Sequence, residues 1–258
     1  MKIELTDIYG FKPALRSMRN PFDSWDKSDS WIHHHSDYNG MDMIDYVQKP
    51  HWPINKVISA EDEEPTAALL STGDRDLCPP GYLVREMPVI GPDDLQLALS
   101  LIKRGGDHRK FMRYITVSCD ITIPRYVWQE VDTYKVGTVR NSCSTMNMLG
   151  KRHLTQDDFE NPLPQLFLDE LNRAVDEFRE ADGAAAKRAE RVTMKDLLPE
   201  GFLQMATFLL NYEVGFRMFG SRRKHRLPMW REGCEGSICE WIKSWPYMKD
   251  FLVAFGEK

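Results

Sequence analysis

The residues best equipped for chemistry stand in one polar run, Thr133-Tyr134-Lys135-Val136-Gly137-Thr138-Val139-Arg140-Asn141-Ser142-Cys143-Ser144-Thr145. Hydroxyls, amides and cations crowd this stretch with few apolar anchors, so it reads as an edge that faces a ligand. Cys143 could serve as a nucleophile, but no His stands at a spacing that would activate it, and an inert thiol is the plainer reading. Eleven residues separate Asn211 from Arg222. In a helix that interval is close to three turns, which puts the two on one face about 16 Å apart along the axis. A polar head at each end of a stripe holding Gly215 and Met218 could seat a long flat ligand. The plainer reading has Asn211 satisfying nearby backbone and Arg222 favoured at a helix C-terminus by the macrodipole.

Arg222-Arg223-Lys224-His225-Arg226 follows at once. Such a cluster can grip a phosphate, with Arg as a bidentate donor, and it is equally what a solvated helix end looks like. His33-His34-His35, with Asp37 nearby, invites a metal. Adjacent side chains diverge, however, and no second ligand group has suitable spacing, so no metal site is expected. Cys234 and Cys239 form no zinc pattern, and Asp120 and Asp132 lack a metal-like partner for a nucleotide hydrolase. The sequence holds no GxGxxG, P-loop, GxSxG or HExxH. That removes the usual support for a dinucleotide-binding Rossmann domain, a nucleoside triphosphatase or a serine hydrolase.

These groups need a frame. Ile115, Val117, Cys119, Ile121 and Ile123 alternate with Thr116, Ser118, Asp120 and Thr122, which predicts a half-buried strand. Pro124 stops the strand and opens a short helix that ends near Asp132 and delivers the polar run. Upstream, Pro92-Asp93-Asp94 starts an apolar helix closed by Gly105-Gly106, just before a lone His108. Downstream, Thr155 to Glu160 reads as a capped start or a loop. From Pro164 an amphipathic helix presents Phe167, Leu171, Ala174, Val175 and Phe178. Asp182-Gly183 closes it, and the Ala/Lys/Arg/Glu stretch to Val192 is a helix or a mobile connector. A helix apolar almost all round is expected from about Phe202 to Ser221 as the buried spine. The last helix carries Ile238, Trp241, Ile242 and Trp245, with Pro246 breaking it.

With 258 residues the chain can bury a substantial core. The expected division is an irregular region over 1–90, rich in Trp, Pro, Asp and Ser and packed on the core, and a core over 91–258. Hydrophobic residues at 42% and charged residues at 28% are ordinary for a soluble globular protein. A net charge of -5 gives no basic footprint for nucleic acid. No apolar run reaches the roughly 20 residues of a membrane helix, and the N-terminus does not read as a secretory signal. Five cysteines in no recognised pattern argue for reduced thiols and a cytoplasmic setting.

Two blocks, in this order, resemble the flavin-dependent thymidylate synthases. That family carries a His-x-x-Pro-Phe-Glu-His stretch, a strand, a Pro, a helix, and then Arg-His-Arg-x-x-Ser-x-Asn-Glu-x-Ser-x-Arg. Laid on without gaps, the first His falls on His108, the Pro on Pro124 and the signature on Thr133 to Thr145. The family's Arg-x-x-Leu-Pro falls on Lys195 to Pro199, and its next polar positions on Asn211, Arg217 and Arg222. The chain departs from the pattern in places. Arg-His-Arg becomes Thr133-Tyr134-Lys135, the first Ser becomes Thr138, Asn-Glu becomes Arg140-Asn141, and the second Ser and last Arg become Cys143 and Thr145.

The resemblance implies an α/β fold of the flavin-dependent thymidylate synthase type, a twisted, mainly antiparallel sheet flanked by long helices. It implies a homotetramer with sites at subunit interfaces. FAD would be the cofactor, with NADPH and methylenetetrahydrofolate as co-substrates, and one carbon would pass to a pyrimidine deoxynucleotide as in dUMP to dTMP. On that basis His108, Thr133, Tyr134, Lys135, Thr138, Asn211 and Arg217 would hold the flavin. Glu130, Asn141, Cys143, Thr145, Lys195 and Arg222 would hold the nucleotide, with Arg222 also the catalytic group. In such a site the protein supplies orientation and charge rather than a covalent nucleophile. The substituted signature also fits a homologue that binds nucleotide without flavin chemistry.

Overall fold

A computed structural model describes residues 1–34, 82–84 and 86–253. Strands β1 (Lys2–Tyr9), β2 (Trp31–His34), β3 (Tyr82–Val84), β4 (Glu86–Val89), β5 (Thr116–Pro124), β6 (Val139–Ser142) and β7 (Leu203–Asn211) form two sheets. One has the order β3-β1-β5-β7-β6, and the other pairs β2 with β4. β1 and β3 run parallel in the register Thr6 opposite Tyr82, and β2 and β4 are antiparallel. The Arg125 N–H donates to the Phe202 carbonyl at 3.1 Å, and the Tyr212 N–H to that of Ile115 at 2.9 Å. The start of β5 therefore faces the end of β7, an antiparallel pair. With its helices, this is the α/β class expected.

β5 buries every second residue, Val117, Cys119, Ile121 and Ile123, as its alternation predicts. The helix after Pro124 is α3 (Arg125–Val131), preceded by α1 (Phe11–Arg19) and α2 (Pro92–Arg104). After β6 come the single turn α4 (Thr145–Met148), then α5 (Gln165–Glu180) and α6 (Gly183–Leu197). The chain closes with α7 (Tyr212–Arg222), α8 (Ile238–Lys243) and α9 (Met248–Val253). The Ala-rich stretch is thus a helix, in keeping with its high intrinsic propensity. Thr155 and Asp158 form a reciprocal capping box around a short 3-10 turn.

The continuous helix expected from Phe202 to Ser221 does not exist. Its first half is β7, which buries Ala206, Phe208 and Leu210 and turns Met205, Thr207 and Leu209 outward. Because Met205 and Leu209 are apolar on the outer face, the period of two disappears from the hydropathy pattern and the segment reads as apolar all round. Asn211 is the boundary: its side chain accepts the Val214 N–H at 3.0 Å and starts α7 as an N-cap. Phe167, expected on the buried face of α5, is 36% exposed, because the buried ridge runs through Leu168, Leu171, Ala174 and Val175.

The chain divides into two compact units, one of Met1–Ile3 with Asp120–Phe208, the other of Glu4–Cys119 with Leu209–Lys258. In the first, α5 and α6 pack along each other over a core of Leu149, Leu154, Leu171, Met194 and Leu198. Trp128 packs edge-on against Phe208 and donates its indole N–H to the Gln204 carbonyl at 2.8 Å. In the second, Tyr212 sits fully buried among Phe11, Trp245 and Phe251, its hydroxyl donating to the Pro246 carbonyl. α7 approaches this aromatic cluster so closely that a Cβ on Gly215 would lie 2.3 Å from the Trp245 ring. No helix among the described residues is long and apolar enough to cross a membrane.

Candidate functional site

In the first unit the polar run follows α3 as a tight turn and then a sheet-edge strand. Thr133 donates its hydroxyl to the Glu130 carbonyl at 2.7 Å, and Thr138 donates to the Tyr134 carbonyl at 2.8 Å. Both hydroxyls are committed to closing the turn, as Ser and Thr commonly are where a helix unwinds. Gly137 takes φ +85°, a left-handed conformation that favours glycine. β6 then occupies one edge of the five-stranded sheet, with Val139 and Asn141 exposed and Arg140 and Ser142 half-buried.

Arg140 is the residue of this edge that the motif reading missed. Its guanidinium lies 4.8 Å from the centre of the Trp128 ring and pairs with Asp132 at 3.0 Å. A cation over an indole face with a carboxylate at its edge is a fixed, pre-oriented charge. The signal was available: Arg140 falls twelve residues after Trp128 on the only strand-like piece of the run. Cys143 is tied through its backbone, the N–H donating to the Met205 carbonyl and the carbonyl accepting from Gln204. Lys135 and Asn141 are exposed, Glu130, Tyr134 and Thr145 are half-buried, and Lys195 is exposed in the last turn of α6.

In the second unit His108 is exposed in the turn that ends α2, its N–H donating to the Gly105 carbonyl at 3.1 Å. Its neighbour Arg109 carries the stronger contacts. Arg109 Nε donates to Glu213 at 2.8 Å, and the guanidinium lies 4.9 Å from the centre of the Phe216 ring. Glu213 is 5% exposed, so this pair clamps the His108 turn to the first turn of α7. Sequence reading passed over it because the partners stand 104 residues apart. An acid inside a run that reads as apolar almost all round was the available hint.

Asn211 follows the plainer of its two readings, as the cap of α7, and Arg217 is exposed on that helix. Arg222 ends it half-buried, its guanidinium 5.0 Å from the centre of the Trp230 ring and its Nη1 3.1 Å from His225 Nε2. Lys224 and Arg226 are exposed beside it. Within this unit the structure brings Arg222, His225 and Trp230 together, and separately His108, Arg109 and Glu213.

Cys239 is fully buried close to the same helix end. Burial, reinforced by the Glu232 and Glu240 carboxylates, pushes its thiol up to about 12. Alkylation of the folded protein at pH 8 is therefore expected to spare Cys119 and Cys239 and to modify the half-buried Cys143 and Cys234, as read by peptide mass mapping. Labelling of Cys239 at the rate of Cys143 would contradict this packing. Among the described residues no group of three His, Cys, Asp or Glu side chains is placed to hold a metal ion. His33 and His34 lie in β2, while His35, Asp37 and Cys78 fall outside the described residues.

No family model and no curated protein matches the sequence. Solved structures do resemble the fold. A flavin-dependent thymidylate synthase ThyX from Helicobacter pylori, complexed with FAD and dUMP, superposes at TM-score 0.51 with 10% identity, over 99% of this chain and 92% of that one. A second structure of Thymidylate Synthase X (ThyX) from Helicobacter pylori, with FAD and dUMP, gives TM-score 0.55 with 9% identity, over 98% and 96%. At such identities the likeness is one of fold.

Proposed function

We propose that this chain binds a pyrimidine deoxynucleotide of the dUMP class on a thymidylate synthase-like fold without that family's grip on a flavin. The observation that carries the nucleotide half is Arg222. A guanidinium held against the Trp230 face at the end of α7, with basic neighbours in Arg223, Lys224 and Arg226, is pre-oriented for a phosphate. Within the first unit, Lys195, the exposed Asn141 and the half-buried Thr145 offer further polar groups for such a ligand. The exposed Val136, Val139, Met146 and Met148 around the β6 edge suit a homotetramer with its sites at subunit boundaries.

The groups that would hold FAD fit it poorly. Of the seven positions, Thr133 and Thr138 donate their hydroxyls to their own backbone, and Asn211 uses its carbonyl oxygen as the α7 cap. One cation, Lys135, stands where the family signature brings three, so the pyrophosphate of a dinucleotide would lose most of its charge-assisted contacts.

A second reading, flavin-dependent one-carbon transfer to dUMP with NADPH and methylenetetrahydrofolate, is favoured by the near-complete coverage of both chains in the ThyX comparison. Calorimetric titration with dUMP tests the nucleotide site common to both. Saturable binding is expected for the wild-type protein. Arg222→Ala should weaken it by about 10- to 100-fold, the loss of one charge-assisted contact worth about 1.5–3 kcal/mol. Unchanged affinity in the variant overturns the role of Arg222, and no binding by the wild type overturns the reading.

A further inference from the structure

Beside α1 lies a cleft of about 320 Å³, and none of the described residues that line it is acidic. Lys12, Arg16 and Arg19 follow one another at four and three residues along the helix, so they share the face that opens onto it. Leu15 forms an apolar floor, and Trp25 and Trp31 supply aromatic walls. Trp25 is 57% exposed, yet its indole N–H is fixed on the Asn20 side chain at 2.7 Å. A large exposed aromatic with a tethered edge is a ready stacking surface.

Arg19 gives the cleft its sign. Its side chain is 10% exposed, and Nε donates to Asp94 at 2.7 Å. Asp94 is fully buried behind it and accepts both the Ser28 and Ser30 hydroxyls. Asp29 is occupied by the Asp93 and Asp94 N–H groups. Yet Arg19 Nη2 is buried with no hydrogen-bond partner among the described residues. A buried guanidinium N–H left unsatisfied is costly, and a small shift of the Arg19 side chain toward an anionic oxygen in the cleft would satisfy it.

From this we infer that the cleft is a binding site for a planar aromatic monophosphate. The phosphate meets Arg16 and Lys12 and draws the Arg19 guanidinium toward it, while the ring system stacks on Trp25 or Trp31. The volume lies at the small end of ligand pockets, which run from roughly 300 to 1,000 Å³, and suits a nucleoside monophosphate rather than a dinucleotide. Among the described residues, no side chain lining the cleft is an amide that would read one base over another.

Adenosine 5′-monophosphate is a suitable probe, because its large base stacks well and no base-reading is asked of it. Tryptophan fluorescence is expected to show saturable quenching that weakens with added salt. Arg16→Glu, a surface change, should weaken the probe by at least about tenfold with the thermal midpoint unchanged. Trp25→Ala should weaken adenosine 5′-monophosphate while leaving inorganic phosphate as it was. Equal affinity in Arg16→Glu or no saturation in the wild type would overturn the site. Inorganic phosphate binding as tightly as the nucleotide would overturn the aromatic half of the assignment.

Discussion

Asp94→Ala is expected to cost about 3–5 kcal/mol of stability, the usual penalty for breaking a buried ion pair by removing one partner. Asp94 is fully buried, and its carboxylate is shared among Arg19 Nε at 2.7 Å and the Ser28 and Ser30 hydroxyls at 2.6 Å each. Without it the Arg19 guanidinium is stranded in the interior and two hydroxyls lose their acceptor. The same node joins α1, the Ser28–Ser30 segment and the start of α2, whose first N–H groups are capped from a distance by Asp29. Gly91 permits that approach, since a Cβ there would lie 2.1 Å from the Asp29 carboxyl carbon. For a chain of this size the midpoint should fall by roughly 6–20 °C. Scanning calorimetry reads it directly, and a fall below about 2 °C would show that Arg19 finds solvent or another anion. Replacing both partners, Arg19→Met with Asp94→Leu, should recover part of the loss, since the stranded charge leaves with its partner.

Glu213→Ala is the second large effect, at about 2–3 kcal/mol, somewhat less than for a fully enclosed pair. Arg109 is the reason for the difference: its side chain is 18% exposed against 7% for Glu213, so it can turn partly to water once released. The consequence should be local as well as global. Arg109 holds the turn carrying His108 onto α7, so hydrogen exchange over residues 105–114 is expected to accelerate more than that of α9. Glu213→Gln, which keeps an acceptor and loses the charge, should fall between the two. Uniform acceleration across the second unit would mean that the pair stabilises the core without positioning the turn.

Periodicity made β5 legible because each of its outward positions from Thr116 to Thr122 is polar. It failed for β7 because Met205 and Leu209 put apolar side chains on the outer face as well. Asn211 was visible as a polar head, yet its role as a cap required knowing that a strand ends there. α2, α3 and α5 carried their own stop signals, in Gly105, Asp132 and Asp182-Gly183. The pairs that fix local geometry left no such mark. Arg19 and Asp94 stand 75 residues apart, Arg109 and Glu213 stand 104 apart, and nothing in local spacing announces either. The signature run contains β6, at one edge of the five-stranded sheet. It could not tell that Thr133 and Thr138 close a turn, or that Arg140 is anchored on Trp128.

An absorbance spectrum of the protein, incubated with FAD and dUMP and then desalted, tests the reading where it is most exposed. A nucleotide binder without a flavin grip should emerge colourless, with dUMP binding intact by calorimetry. A stoichiometric flavin band after desalting would contradict it and return the chain to flavin-dependent one-carbon transfer.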